Sequence, residues 1–223
     1  MAETGDRPAE PEVPGRACPR CPRLVDYRQA NREAFPDFFN GPVPSFGGTD
    51  ARLLIVGLAP GLKGANRTGR PFTGDYAGEL LYPTLKAHGL ARGKYAARAD
   101  DGFRLVGCRV TNAVRCVPPE NKPTTDEIGN CRGFLAAELA ALTNLQAILA
   151  LGRVAHDAVL AALGLVRSRY PFGHGAEHAL PNGLLLADSY HCSRYNTNTG
   201  RLTSEMFSDV IERLAPVALE ARG

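Results

Sequence analysis

Four short apolar runs punctuate this chain: Arg52 to Val56, Phe103 to Val114, Ala147 to Leu151 and Leu184 to Ala187. Short apolar runs bounded by turn residues are what buried strands look like in sequence. Between them the apolar positions switch to helical spacing. Ala77, Leu80, Leu81, Leu85 and His88 predict a helix from Asp75 to Gly89, disturbed at Pro83. Thr124 and Glu127 resemble a capping box, and the helix they open carries Ile128, Phe134, Leu135, Leu139 and Leu142 on apolar spacing. Val154 to Leu163 and Ser204 to Leu219 predict two more helices. Strands alternating with helices imply an α/β architecture, a mostly parallel four-stranded sheet covered on both faces.

Residues 1–17 hold Pro, Glu, Gly and Ala with almost nothing to bury. They predict a disordered tail ahead of a single domain over residues 18–223. After Cys18, a stretch with Tyr27, Phe35, Phe38 and Phe39, broken by Pro36, Gly41, Pro42 and Pro44, predicts a short helix and then an irregular loop. In open parallel sheets, ligands bind at the carboxyl ends of the strands. That rule selects four segments for chemistry: Gly57 to Gly61, Asn112 to Cys116, Gly152, and Ser189 to Asn196.

No apolar run approaches the roughly 20 residues of a membrane span. The N-terminus, MAETGDRPAEPEVPGRA, has acids and prolines where a secretory signal has a basic start and an apolar core, so a cytoplasmic protein is expected. Formal net charge is +3, and the acidic tail leaves about five positive charges on the remainder. That excess permits a local nucleic-acid-binding patch without demanding one.

The first strand ends in Gly57-Leu58-Ala59-Pro60-Gly61 without Walker or G-x-G-x-x-G spacing, which disfavours a nucleotide loop. A plain tight turn and a loop whose backbone closely approaches a ligand remain, and glycine permits both. Asp75 falls where a carboxylate caps a helix, and Phe72 lies three residues upstream. An aromatic beside a carboxylate can stack a planar ring and position water; core filling and capping are the plain alternatives. Asn112, at the end of the second strand, can donate and accept, as reading a nucleobase edge requires, or cap a turn. His191 ends the fourth strand ahead of a polar, arginine-bearing loop, a setting that suits proton or hydrogen-bond chemistry. Its neighbour Cys192 points the other way on an extended segment, which disfavours a Cys-His nucleophile. His88, His156, His174 and His178 have no comparable setting.

Four of the six cysteines form an ordered set, Cys18 and Cys21 close together, Cys116 and Cys131 far downstream. Soft thiolates gathered from two stretches suit a tetrahedral zinc or an iron-sulfur cluster. A reducing compartment makes disulfides a poor explanation. Cys108 and Cys192 have no such partner.

Taken in order, CPRC at 18–21, GLAPG at 57–61, RTGRPFTGD at 67–75, TNAVRC at 111–116, Cys131 and SYHCSRYNTNTGRLT at 189–203 resemble the uracil-DNA glycosylase superfamily, and most of all its iron-sulfur family 5, or type B. Type A relatives carry an acidic residue in the first motif, where this chain has Leu58, and a His-Pro-Ser-type last motif, where it has His191-Cys192-Ser193. The resemblance implies a three-layer αβα fold and a structural [4Fe-4S] cluster on Cys18, Cys21, Cys116 and Cys131. It implies a base pocket built from Gly57, Leu58, Ala59, Gly61, Phe72, Asn112 and Asn121, with Phe72 stacking on the base and Asn112 reading its edge.

The implied activity is hydrolysis of the N-glycosidic bond of uracil in DNA, and of other deaminated bases such as hypoxanthine and xanthine, leaving an abasic site. Asp75 would stabilise the cationic sugar or accept a proton from water, and His191 would donate to the base oxygen. No lysine falls in these motifs, so no Schiff-base lyase step is expected. Arg194, Tyr195, Asn196 and Arg201 are expected to enter the duplex or hold phosphates, and Arg115 to add to the DNA-facing surface. The expected form is a monomer acting at the nucleoid. Two other readings stay open: an iron-sulfur redox protein, and a non-catalytic nucleic-acid-binding module stapled by zinc.

Overall fold

The computed structural model describes residues 11–220. Of the predicted tail, residues 1–10 lie outside the described residues, while Arg16 lies over the Phe39 ring and donates to its carbonyl at 2.7 Å. In chain order the elements are α1 (Pro22–Ala34), β1 (Leu53–Gly57), α2 (Ala65–Thr68), α3 (Tyr76–Ala87), β2 (Ala91–Arg92), β3 (Arg104–Leu105), β4 (Cys108–Asn112), α4 (Thr125–Ala141), β5 (Ala147–Leu151), α5 (Arg153–Ala162), β6 (Glu177–Ala179), β7 (Leu185–Ser189), α6 (Arg194–Asn198) and α7 (Ser204–Leu219).

Five strands form the main sheet in the order β4-β1-β5-β7-β6, all parallel except the edge pair β6·β7. The predicted four-stranded sheet is therefore extended by one short antiparallel strand. The strands β1, β4 and β5 are buried along their whole length, as helices on both faces of a parallel sheet require. Successive side chains serve opposite faces: Leu53 and Ile55 join the core under α3 and α7, Leu54 and Val56 the core under α4 and α5. The chain goes from β1 outward to β4, then returns across β1 to β5, so the topological switch lies between the carboxyl ends of β1 and β5.

Helix starts follow the expected capping chemistry. Thr124 Oγ1 accepts the Glu127 N–H at 3.3 Å while the Glu127 carboxylate accepts the Thr124 N–H at 2.8 Å. The closing helix has the predicted bounds, and Pro83 sits inside α3 without ending it. The predicted second strand is broken at Gly107, where φ is +64° and a Cβ would stand 2.2 Å from the Ala218 carbonyl oxygen. Its first part pairs with β2 in a separate two-stranded sheet.

Arg115 does not face DNA. Its side chain is only 2% exposed and pairs with Glu138 of α4, whose other oxygen accepts from Arg109 at 2.7 Å. Arg115 also donates to Ser45 at 2.8 Å. A buried carboxylate needs opposite charge and full hydrogen bonding, and that need, not the surface, accounts for Arg115. Among the described residues no helix is long and apolar enough to cross a membrane.

Candidate active site

An open cleft of about 420 Å³ lies at the switch point, lined by Leu58, Ala59, Gly61, Asp75, Tyr76, Asn121, His191 and Arg194 among others. The β1–β4 ladder runs on past the strands, with the Ala113 N–H on Gly57 O and the Val114 N–H on Leu58 O, and so fixes the start of the GLAPG loop. Loops from β1, β4 and β7 thus meet at one place. Seven of the thirteen predicted catalytic, base-pocket and DNA-contact residues line this cleft, namely Leu58, Ala59, Gly61, Asp75, Asn121, His191 and Arg194.

Gly57, Phe72 and Asn112 meet deeper. A Cβ on Gly57 would stand 2.4 Å from Phe72 Cζ and 2.5 Å from Asn112 Oδ1, so only glycine allows this convergence. Asn112 is 3% exposed and its Oδ1 has no hydrogen-bond partner among the described residues. A buried unpartnered acceptor is costly, and it marks a place where a ligand donor fits. The Phe72 ring lies 6.0 Å from the His191 ring at an interplanar angle of 28°.

Phe72 adopts a left-handed φ of +52°, a conformation that an aromatic residue holds only when its surroundings enforce it. Here they do. The Tyr95 hydroxyl donates to the Phe72 carbonyl at 3.3 Å and accepts the Gly74 N–H at 3.4 Å, while the Tyr82 hydroxyl donates to the Pro71 carbonyl. Gly78 leaves room for the Phe72 carbonyl, which a Cβ there would approach to 1.7 Å. Arg70 donates to Thr73 Oγ1 at 2.8 Å and lies among the rings of Phe46, Tyr82, Tyr95 and Phe103.

Asp75 caps α3, its Oδ1 accepting the Gly78 N–H at 3.1 Å. Its Oδ2 turns to the glycine loop, 3.5 Å from where a Gly61 Cβ would stand, and Asn121 Oδ1 is 3.9 Å from the same point. Burial pushes the Asp75 carboxyl up, against the lowering pull of the cap N–H groups. Glu120 and Asn121 both have positive φ, +55° and +57°, and this double left-handed turn aims the Asn121 amide at the cleft. Burial pushes His191 down to about 4, so the imidazole is neutral near pH 7. Its ring forms no hydrogen bond with any described residue, while its backbone carbonyl is held by Asn196 Nδ2 at 2.8 Å.

Asn196 therefore holds the His191 backbone. Tyr195 is 72% exposed at the tip of α6, and Arg194 lies 5.3 Å over the Tyr76 ring at the cleft wall. Arg201 sits apart, over Tyr190 in a second hollow that it shares with Gly152, Arg153 and Phe172. Cys192 is fully buried and burial raises its thiol pKa far above neutrality, which removes it as a nucleophile. His156, unassigned from sequence, forms a buried pair with Asp188 of β7 at 2.7 Å; burial lowers its pKa, but the Asp188 carboxylate and the Tyr170 carbonyl together leave it raised. Sequence reasoning also passed over Tyr76, Lys63 and Arg67 at the cleft mouth. The cations stand in a glycine-rich loop of the first motif region, which was the one available signal.

Cys18, Cys21, Cys116 and Cys131 line one cavity beneath Phe134. Three of the four sulfurs face donors: Arg28 Nη1 lies 3.7 Å from Cys116, Asn130 Nδ2 3.7 Å from Cys21, and the Arg115 N–H 3.5 Å from Cys131. Cys21 is also the N-cap of α1, where the helix dipole favours a thiolate. Among the described residues no three His, Cys, Asp or Glu side chains close on a single ion. The donor set suits an anionic sulfur ligand shell, and Ala59 packs against this cluster of residues as well as lining the cleft.

Comparison with known proteins agrees with this geometry. The profile of the Uracil DNA glycosylase superfamily matches residues 44–215. The type-5 uracil-DNA glycosylase of Thermus thermophilus is 49% identical over 200 residues, 87% of this chain and 91% of the relative. The type-5 enzymes of Pyrobaculum aerophilum and Mycobacterium leprae are 41% and 44% identical, over 89% and 86% of this chain and 88% of each relative. By its sequence, its sheet and the loops gathered at the switch point, the chain belongs to the uracil DNA glycosylase superfamily, among the type-5 proteins.

Proposed function

We propose that this protein is a monofunctional DNA glycosylase that hydrolyses the N-glycosidic bond of uracil in DNA and leaves an abasic site for base excision repair. The observation that carries the reading is the pairing, in one cleft, of the Asp75 carboxylate with a neutral His191, above an unpartnered Asn112 amide oxygen.

Chemistry on a base requires its extrusion from the stack into a pocket. Asn112 Oδ1 would accept the imide N–H of uracil, and the Phe72 ring would pack on the base. As the glycosidic bond breaks, positive charge grows on the sugar and negative charge on the base. Asp75 would face the sugar with Oδ2, the oxygen not used by the helix cap; Gly64 packs against this carboxylate, where a Cβ would stand 2.6 Å from Oδ2. His191 would donate one N–H to a uracil oxygen, with no change in its own charge. Asn121, whose Oδ1 comes near Gly61 as Asp75 Oδ2 does, would help to place the attacking water. Lys63, Arg67 and Arg194 at the cleft mouth, with the exposed Tyr195, would hold the backbone and fill the duplex.

Gly57, Leu58 and Ala59 bring no hydrogen-bonding side chain to the pocket, which supports acceptance of hypoxanthine and xanthine beside uracil. Cys18, Cys21, Cys116 and Cys131 would hold a [4Fe-4S] cluster. Bound there, it supplies a cross-link between α1 and the segments that follow β4 and open α4.

The test is single-turnover release of base from matched duplexes holding one uracil or one hypoxanthine, followed by alkali. Strand breaks only after alkali are expected. Breaks without alkali would show a lyase step and sink the monofunctional reading; no abasic sites from either duplex would sink the glycosylase reading.

A further inference from the structure

We infer that Arg28 is the buried counter-charge of the group held by the four cysteines, and that it sets that group's affinity for an electron. The inference rests on the cluster reading above and goes beyond it.

Four arginines of the described residues are buried: Arg28, Arg70, Arg109 and Arg115. Three of them have carboxylate partners, Arg70 with Asp101, Arg109 and Arg115 with Glu138. Arg28, at 4% exposure, has none among the described residues. Its guanidinium instead donates to the Cys18 carbonyl at 3.0 Å and points at Cys116 Sγ. An unpaired buried cation costs several kcal/mol, so protonated neutral thiols are a poor setting for it. Four thiolates around a [4Fe-4S] core in its resting state form a dianion, and that charge supplies what Arg28 lacks.

Arg28 lies in the second turn of α1, whose N-cap is Cys21, so the same helix carries one proposed ligand and the cation. The Asn130 amide and the Arg115 N–H also face sulfurs but carry no charge of their own there. Arg20 also lines the cavity but is exposed, and the Arg115 guanidinium is paired with Glu138, so among the described residues Arg28 is the one buried cation without a carboxylate partner whose side chain reaches a sulfur. A neighbouring cation makes adding an electron to an anionic cluster easier and holds the thiolates against protonation.

The experiment uses the full chain, purified without oxygen, as wild type, Arg28→Gln and Arg28→Lys. Iron and acid-labile sulfide are assayed, the one-electron midpoint potential is read by protein-film voltammetry, and loss of cluster absorbance is timed under a chelator. Wild type is expected to hold iron and sulfide in equal amounts. Arg28→Gln, which keeps donors but loses the charge, is expected to have a more negative potential and faster loss of iron, and Arg28→Lys to lie nearer to wild type on both. Loaded Arg28→Gln with the wild-type potential and lifetime overturns the role of Arg28 and leaves the cluster reading standing. Wild type with zinc, or without iron and sulfide, overturns the cluster reading itself and this inference with it. If Arg28→Gln fails to assemble, Arg28→Lys must assemble and keep its potential near that of wild type; failure of both makes the role steric and overturns the inference.

Discussion

Asp101 grips Arg70 with both carboxylate oxygens, each 2.8 Å from a guanidinium nitrogen. The same carboxylate accepts the N–H groups of Ala96 and Phe103 at 2.9 and 3.0 Å. The pair ties the β2–β3 excursion to the loop that carries Phe72 and Asp75. Asp101→Asn leaves Arg70 buried beside a neutral amide and is expected to destabilise the fold by about 3–5 kcal/mol, read by urea unfolding. Hydrogen bonding to Arg70 holds the Asp101 carboxyl well below the usual range. Its stabilising effect is therefore complete above the unfolded carboxylate pKa and is lost as pH falls through the lower folded value, so the wild-type advantage over Asp101→Asn shrinks in strong acid.

Gly57→Ala places a methyl group between Phe72 and Asn112. One of the two must move. Base release is expected to fall at least tenfold in single turnover, with purines affected more than uracil because the shrunken pocket excludes them first. Unchanged rates on both substrates would remove Phe72 and Asn112 from the base pocket.

Asp75→Asn keeps an oxygen for the Gly78 N–H, since asparagine caps helices as well as aspartate does, so the fold is expected to persist. Single-turnover excision should drop by about 100- to 10,000-fold. Because burial raises the Asp75 carboxyl, the wild-type rate should fall on the acid side at a higher pH than a solvated aspartate would give, and that limb should vanish in the residual activity of the variant. A wild-type rate in Asp75→Asn would exclude an ionised carboxylate at the sugar.

His191, held neutral by its surroundings with a pKa of about 4, predicts no break in the pH–rate profile near 6.5, where a solvated histidine titrates. His191→Ala is expected to lose about 100- to 1,000-fold in rate, the usual value of one donor at a developing anion. A break near 6.5 that disappears in His191→Ala would show that the imidazolium takes part.

The parallel strands and the long helices were legible because each concentrates one signal: five consecutive buried residues in β1, β4 and β5, a capping box ahead of α4. The edge strand β6 was not, since its three residues, Glu177 to Ala179, are partly exposed and carry no apolar run. Helices α2 and α6, of four and five residues, are too short to show a period. Asp75, His191 and Asn121 could be placed from motif order. The meeting of Phe72 with Asn112 over Gly57 could not, because it joins three loops and depends on an absent Cβ. Arg115 and Arg28 were misread or passed over for one reason: arginine is surface-seeking by type, and only the fold shows which ones have been taken inside.

The Glu138 triad makes α4 a common anchor. Through Arg109 and Arg115 it fastens α4 to β4 inside the protein core, which sets Cys131 against the segment that carries Cys116. On its other side α4 holds α1, since Glu127 takes both 2.8 Å bonds from Arg23 and Phe134 packs with the buried Leu24. Both halves of the cysteine site thus hang on one helix, and two salt-bridged glutamates of that helix, Glu127 and Glu138, keep the N-terminal segment and the sheet in register with each other.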